Sequence, residues 1–404
     1  MPQHARLKTV VLLGIGHTNA HVVKQWASDP IADCRLVCIS KFPTATYSGM
    51  LPGTLGGQFE PCEMRIDLPD LVAASGGTLL LADANGLDLQ RGELRFADRE
   101  PLPFDALSIG VGSMPIGWER HRSVVSLVTI KPMQTFLQRL HDRLDQVDST
   151  DRRPIRVVVV GGGVASVEIA LCLQQDWTRR RKESPLEILI VTADDHVARG
   201  MRPKSVRRIE RLLRQRSVSV APGQRVTEVV ETAVTTESGQ KFPADCVVWA
   251  TGAAPPPVLE TLGLPSDDRG FIATRPTLQS VSDDRVFAVG DSGTVVEHPS
   301  PKAGVYAVRQ SPILWHNLRS FLTGRPLQSF KPQSDFLKLL NTGDGKALLE
   351  YHWLTAHARW CWSLKTWIDR RFIQEFQVGP SSSGPCPSEV GSAEDRFASI
   401  EKES

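Results

Sequence analysis

Two stretches of the chain share one pattern: a continuous apolar, β-branched run, a glycine-rich turn, then residues of helical character. The first reads Val10-Val11-Leu12-Leu13-Gly14-Ile15-Gly16-His17-Thr18-Asn19. The second reads Val157-Val158-Val159-Val160-Gly161-Gly162-Gly163-Val164-Ala165-Ser166, with Glu168 just beyond. A run without polar alternation predicts a strand buried on both faces, as in a parallel sheet. Glycines behind such a strand let backbone N–H groups approach a pyrophosphate at the N-terminus of the next helix. One such turn is weak evidence, but two of them, about one mononucleotide-binding domain apart, point to two dinucleotides held against each other.

The first unit predicts a strand over 9–13, a helix near 18–27 and a second strand over 35–40. Residues 41–61 are apolar yet full of breakers (Tyr47-Ser48-Gly49-Met50-Leu51-Pro52-Gly53), the composition of a buried loop lining a cofactor. Strand-like runs then lead to Leu107-Ser108-Ile109-Gly110-Val111-Gly112-Ser113. The polar segment 141–154 reads as the join into the second unit, which runs to Val247-Val248-Trp249-Ala250-Thr251-Gly252. Next come a strand ending in Gly290-Asp291 and a helix-like stretch from Val305 to Ser320, preceded by Lys302-Ala303-Gly304. Residues 330–378 form a small separate unit. From Gly379 to Ser404 the chain is Ser/Pro/Gly-rich and then acidic, too polar to repay its ordering entropy, so disorder is expected there.

The 404 residues suffice for two or three domains. A formal net charge of +2 argues against a dedicated nucleic-acid binder. No run is long enough to span a bilayer, and Met1 to Lys8 lacks a signal-peptide pattern. Seven cysteines at irregular spacing give no disulfide framework, so a cytoplasmic protein with reduced thiols is expected. Cys34 and Cys38 share a strand face and should stand about 13 Å apart, well beyond the roughly 4.4–6.8 Å of a disulfide. Cys172 and Cys361 are read as single structural thiols.

The order of landmarks (a glycine turn near the N-terminus, a second near the middle, Ala250-Thr251-Gly252, a late Gly290-Asp291) resembles the two-dinucleotide-domain flavoproteins labelled pyridine nucleotide-disulfide oxidoreductases. Residues 47–53, 301–310 and 368–372 look closest to type II NADH dehydrogenase-like proteins and to the flavoprotein module beside selenophosphate synthetases. The resemblance covers about residues 8–376 and implies an α/β fold: two Rossmann-like, three-layer domains with a small C-terminal unit. It implies an FAD domain over 1–140 and 275–325, an NAD(P) domain over 150–274, a small unit over 326–378 and a tail over 379–404. It places Gly14 and Gly16 under the FAD pyrophosphate, with His17 beside them, and Asp291 at the FAD phosphate or ribitol. Lys302, Ala303 and Gly304 would face the flavin pyrimidine edge, where a lysine and a helix N-terminus stabilise negative charge. Gly161, Gly163 and Ser166 would form the nicotinamide-dinucleotide turn, with Glu168 near the nicotinamide. Ser40, Lys41, Gly49, Gly112, Gly252 and Gly290 complete the cofactor-lining set, and Lys302 and Gln310 are the candidate catalytic positions.

The implied cofactors are FAD and NAD(P)H, and the implied reaction passes hydride to flavin, then electrons to a quinone or another small acceptor. Two alternatives stand beside it: flavin-dependent oxidation of a reduced sulfur or selenium compound, and a non-catalytic redox module. The chain departs from the family pattern in places. Asn19 and Ser166 replace a third glycine. Ser40-Lys41 and Ile190-Val191-Thr192-Ala193 end their strands without a ribose carboxylate, with only Asp194 and Asp195 following. Gly304-Val305 stands where type II dehydrogenases carry Ala-Gln.

The basic segment 177–216 reads as a solvated helix face, as a 2′-phosphate contact through Arg199 or Arg202, or as attraction to an anionic membrane. Residues 359–376 place Trp360, Leu364, Trp367, Ile368, Phe372 and Phe376 at helical spacing, with a cationic side. Such a helix docks on the flavin domain, joins a second subunit in a homodimer, or lies peripherally on the inner face of the membrane. His17 and His21 have metal-ligand spacing without a third ligand in view, and no metal is expected.

Overall fold

The computed structural model describes residues 6–150, 153–180 and 184–377. The first apolar run is β1 (Lys8–Leu13), followed by α1 (His17–Ser28) and β2 (Cys34–Ser40). The chain continues through β3 (Thr78–Leu81), β4 (Ala106–Ile109), β5 (Leu127–Thr129) and α2 (Met133–Thr150). The second apolar run is β6 (Ile155–Val160), followed by α3 (Val164–Arg179), β7 (Leu186–Val191), α4 (Pro203–Gln215), β8 (Val218–Ala221) and β9 (Cys246–Trp249). Then come β10 (Val286–Ala288), α5 (Gly304–Thr323), β11 (Lys338–Asn341), β12 (Ala347–Tyr351), β13 (Leu354–Ala358) and α6 (Arg359–Gln374).

Two five-stranded sheets organise these elements. The first has the order β10-β4-β1-β2-β3 and the second β5-β9-β6-β7-β8, with every pair parallel. In both, the strand before the glycine turn lies inside the sheet, with its sequence successor on one side and a later strand on the other. The order reverses there, which opens a crevice at the carboxyl ends of the strands. Burial explains the unbroken apolar runs: Val10, Val11 and Leu12 are wholly buried, as is Val159.

Three parts differ from the sequence expectation. Residues 41–61 carry a short strand (Thr44–Thr46) and a short helix (Leu51–Leu55) that is entirely buried, so this segment is a packed wall more than a loop. The polar segment 141–154 is largely the end of α2, which buries Phe136, Leu140 and Leu144 at four-residue spacing among polar neighbours. β5 pairs with β9 in the second sheet although it precedes residue 140. The tail from Gly379 lies outside the described residues.

In the C-terminal unit β11, β12 and β13 form an antiparallel sheet, and α6 packs back over it through Cys361 against Ala347 and Leu349. α6 buries Cys361, Lys365, Asp369 and Ile373, a strict four-residue stripe, and leaves Trp360 and Trp367 exposed. The helix is therefore docked, with one aromatic face outward. Among the described residues, no helix is long and apolar enough to cross a membrane.

Asn19 shows why the third glycine can be absent. Its Nδ2 donates to Gly14 O (2.7 Å) and Ser108 O (3.3 Å), and its Oδ1 accepts from Ser108 Oγ (2.7 Å). The amide thus ties α1 to the ends of β1 and β4 from a wholly buried position. Replacing Asn19 with Leu strands these polar groups and is expected to cost about 2–3 kcal/mol, read as a lower urea midpoint. An unchanged midpoint would show the amide to be dispensable.

Candidate functional site

Both glycine turns press against the end of a neighbouring strand. A Cβ added at Gly14, where φ is +79°, would lie 2.7 Å from Gly110 O and from Val111 Cα. A Cβ at Gly161 (φ +124°) would lie 2.3 Å from Ala250 O. Only glycine fits either place. By contrast, added Cβ atoms at Gly112 and Gly163 would meet nothing within 4 Å, so the space over these residues is open. Ser166, the other replacement for a third glycine, is buried and donates its hydroxyl to Ala250 O (3.3 Å).

Three helices begin at these crevices without a cap. α1 starts after Gly16, α3 after Gly163 and α5 after Ala303; none has a side-chain cap or an acidic residue in its first turn. Their first N–H groups carry the positive end of the helix dipole and have no protein side chain to receive them. Such an end suits a pyrophosphate at α1 and α3 and the electron-rich edge of a flavin at α5.

Between α1 and α5 lies a charged cluster. Asp291 Oδ2 accepts from Ser113 Oγ (2.6 Å) and faces Lys131 Nζ (3.4 Å), which also donates to Ser113 Oγ (2.6 Å). Gly112 N–H donates to Ser292 Oγ (2.9 Å). Gly290 has φ +59°, and its N–H donates to Gln310 Oε1 (2.6 Å). Gln310 is buried, so this expected catalytic side chain braces the Gly290-Asp291 turn. His17 packs edge-on to Tyr47 (5.5 Å between ring centres) and beside Phe372 (5.6 Å). Burial lowers its pKa to about 4, against the pull of Asp291, so the ring is neutral.

Lys302 is also committed. Its Nζ donates to Gly293 O (2.6 Å) and Thr294 Oγ1 (2.9 Å) and sits 4.0 Å over the Phe271 ring. Burial lowers its pKa to about 8. It therefore holds the segment leading into α5, and the bare N-terminus beginning at Ala303 and Gly304 is what faces the crevice. Ser40 turns the chain after β2 by donating to Phe42 O (2.8 Å), and Lys41 pairs with Asp83 at the exposed rim. Gly252 O accepts from Ile116 N–H (2.8 Å) at the pair of short strands, Met114–Pro115 and Ala253–Ala254, that joins the two dinucleotide units.

A second polar cluster forms where α6 meets both units; the sequence singles out its Gly49 and Glu168 but not the link through Tyr47, Lys365 and Asp369. Lys365 Nζ donates to Gly49 O (2.8 Å) and pairs with Asp369 Oδ2 (2.9 Å); Asp369 Oδ1 accepts from Tyr47 OH (3.0 Å). On α3, Glu168 Oε1 accepts from Asn341 N–H (2.7 Å). Burial raises the Glu168 pKa to about 7, although Lys365 and the Asn341 N–H act the other way. A carboxyl that titrates near neutrality beside a ligand crevice is a candidate proton donor. Nearby Cys172 is held protonated, its pKa raised well above the ordinary thiol value by burial. Cys34, Cys38, Cys172, Cys246 and Cys361 carry free thiols.

A family model described as pyridine nucleotide-disulphide oxidoreductase matches residues 8–316. The chain is 26% identical over 309 residues to the demethylphylloquinone reductase NdbB of Synechocystis sp., covering 71% of this chain and 72% of that protein. Its fold is similar to that of NDH2 from Plasmodium falciparum, solved with NADH (TM-score 0.77, 12% identity, 92% and 98% of the two chains). It is likewise similar to the sulfide:quinone oxidoreductase of Aquifex aeolicus (TM-score 0.76, 16% identity, 93% of each chain).

FAD fits the first crevice: the start of α1 is uncapped and the space over Gly112 is open. A second dinucleotide fits the turn at Gly161–Gly163 for the same reason. Because Lys131 neutralises Asp291 and orients it through Ser113, Lys131→Met is expected to weaken FAD retention. A charge-assisted bond of this kind is worth about ten- to a hundredfold, read by flavin release during equilibrium dialysis. Retention equal to that of the parent would remove Lys131 from the site.

Proposed function

The chain belongs to the pyridine nucleotide-disulphide oxidoreductase family, and within it we propose an NAD(P)H:quinone oxidoreductase in which Glu168 holds the proton delivered to the acceptor. The protein is an FAD-dependent oxidoreductase of the NADH dehydrogenase-like type. FAD, when bound, supplies a two-electron carrier between nicotinamide and acceptor. The chain supplies binding, orientation and charge. The bare ends of α1 and α3 hold the two pyrophosphates, and the start of α5 places a positive field at the flavin edge.

The observation that carries this reading is the pairing of two dinucleotide crevices with a carboxyl that titrates near neutrality. Quinone reduction consumes protons, and Glu168 below its pKa of about 7 carries one beside the cluster of Lys365, Asp369 and Tyr47. A quinone acceptor is supported by the name of the Synechocystis relative. The sulfur alternative has less support, because burial raises the thiols of Cys38 and Cys246 to about 12 and that of Cys172 well above normal.

We also assign the outward face of α6 to a lipid surface, where such quinones dissolve. Trp360 and Trp367 are more than half exposed, Arg371 stacks on Trp367 (5.5 Å), and Arg359 is exposed beside them. Aromatic rings with flanking arginines suit an anionic interface. The double change Trp360→Ser and Trp367→Ser should lower co-sedimentation with anionic vesicles several-fold. A change in hydrodynamic size with unaltered vesicle binding would instead make this face a subunit interface.

The deciding experiment is anaerobic mixing of the holoenzyme with NADH or NADPH, followed by a short-chain quinone, while flavin absorbance is watched. Bleaching and then recovery are expected; a flavin that neither nucleotide reduces would sink the reading. The proton on Glu168 is lost as pH rises through about 7, so the recovery phase should slow across that window. Glu168→Gln should flatten the profile and slow recovery by about a hundredfold, with a smaller effect on bleaching.

A further inference from the structure

We propose that Arg199 selects the dinucleotide, and that it selects the one bearing a 2′-phosphate, NADPH, over NADH. The inference rests on the hydride-donor reading above and begins where β7 ends. In units of this type, a carboxylate after the second strand holds the ribose 2′-OH, whereas a nearby arginine accommodates a 2′-phosphate. Here the residue directly after β7 is Thr192, which is buried, and a Cβ added to Gly162 would lie 2.2 Å from its hydroxyl oxygen. Thr192 therefore packs on the glycine turn itself. Its Oγ1 accepts from Asp194 N–H (3.2 Å), and it carries no charge to offer a ribose hydroxyl.

The residues that follow fold back over the same turn. Ala198 N–H donates to Gly162 O (2.6 Å), and Val197 and Ala198 are buried beneath the loop. Arg199, next in the chain, is thereby anchored by its backbone neighbour at the rim of the dinucleotide crevice. Its side chain is 75% exposed and pairs with Asp194 Oδ1 at 3.0 Å. An exposed pair of this kind is weak and exchangeable. A phosphate, with more charge and three acceptor oxygens, takes the planar guanidinium from one carboxylate. Asp194, the nearest carboxylate after β7, is thus already engaged by the arginine. Asp195 lines a neighbouring groove with His196, Glu210 and Arg214.

The other arginine of interest is placed differently. Arg202 begins α4, and its N–H donates to Glu350 Oε2 (2.9 Å), which also pairs with Lys338 (2.9 Å). Arg202 therefore stands at the seam with the C-terminal unit. Along α4, Lys204, Arg207, Arg211 and Arg214 are exposed, as expected of a solvated face.

The test is calorimetric titration of the holoenzyme with adenosine 2′,5′-bisphosphate and with adenosine 5′-monophosphate. The bisphosphate should bind about ten- to a hundredfold more tightly, the range of a charge-assisted contact. Arg199→Ala should remove that preference, Arg199→Lys should keep part of it, and Arg202→Ala should keep all of it. In steady state the Arg199→Ala change should raise KM for NADPH far more than KM for NADH. Equal binding of the two nucleotides by the parent protein, or a preference that survives Arg199→Ala, overturns the proposal. Its failure is separable from failure of the hydride-donor reading. A bisphosphate preference carried by Arg199 with no flavin bleaching would sink only the latter. Bleaching by NADH and NADPH alike, without that preference, would sink only the former.

Discussion

A helix that starts at glycine or alanine leaves its first N–H groups without a side-chain acceptor, and in a crevice they need one. α1, α3 and α5 all start in this way, at Gly16, Gly163 and Ala303. Much else follows from that constraint. The adjoining turns are glycine because Gly110 O and Ala250 O come too close for any side chain at Gly14 or Gly161. The strands before them are continuously apolar because helices and loops cover both faces of a parallel sheet. The side chains that do approach, Asp291 and Asn19, are fixed by hydrogen bonds before any ligand arrives. Bound dinucleotides would supply acceptors for these helix ends on the proposed reading, in place of the water that otherwise meets them.

The C-terminal unit closes this arrangement through a buried ion pair. Burying Lys365 and Asp369 carries a large desolvation penalty that a single contact seldom offsets. Here each ion has a further partner: Gly49 O accepts from Lys365, and Tyr47 OH donates to Asp369. Both partners belong to the packed wall of the first dinucleotide unit. Glu168 belongs to the second unit and takes its backbone donor from Asn341 in the third. The proton affinity of one carboxyl thus depends on the correct docking of three parts of the chain. The same burial that raises the Glu168 pKa to about 7 keeps the neighbouring thiol of Cys172 protonated.

The two apolar runs, the glycine turns and the helical period of α6 were legible because each is a local pattern. The face that α6 buries was not: the sequence shows Trp360 and Trp367 as its aromatic stripe and Lys365 on its cationic side, whereas the structure exposes the two tryptophans and buries Lys365 with Cys361, Asp369 and Ile373. What escaped notice depends on contacts far apart in sequence. Tyr47 meets Asp369 across 322 positions, and no local signal announces it. Lys131 lies between a short strand and a proline, and only the folded chain sets it beside Asp291. α2 escaped because three buried side chains, Phe136, Leu140 and Leu144, are diluted by polar neighbours. Resemblance puts Gln310 and Lys302 forward as catalytic positions. Their side chains, however, are committed to Gly290 N–H and to Gly293 O.

α6 brings the two ends of the proposed reaction within one helix width. Its inner stripe carries Lys365 and Asp369, and its outer face carries Trp360 and Trp367. A helix with side chains is about 10–12 Å across, so on the proposed reading the lipid surface and the proton-bearing cluster are separated by little more than that. The hydrophilic donor, on the same reading, enters at the crevice above Gly161–Gly163, where Arg199 is exposed to water. On the proposed reading a lipid-soluble acceptor and a water-soluble donor meet the same FAD, and the exposed tryptophans of α6 and the exposed Arg199 are the separate surfaces that receive them.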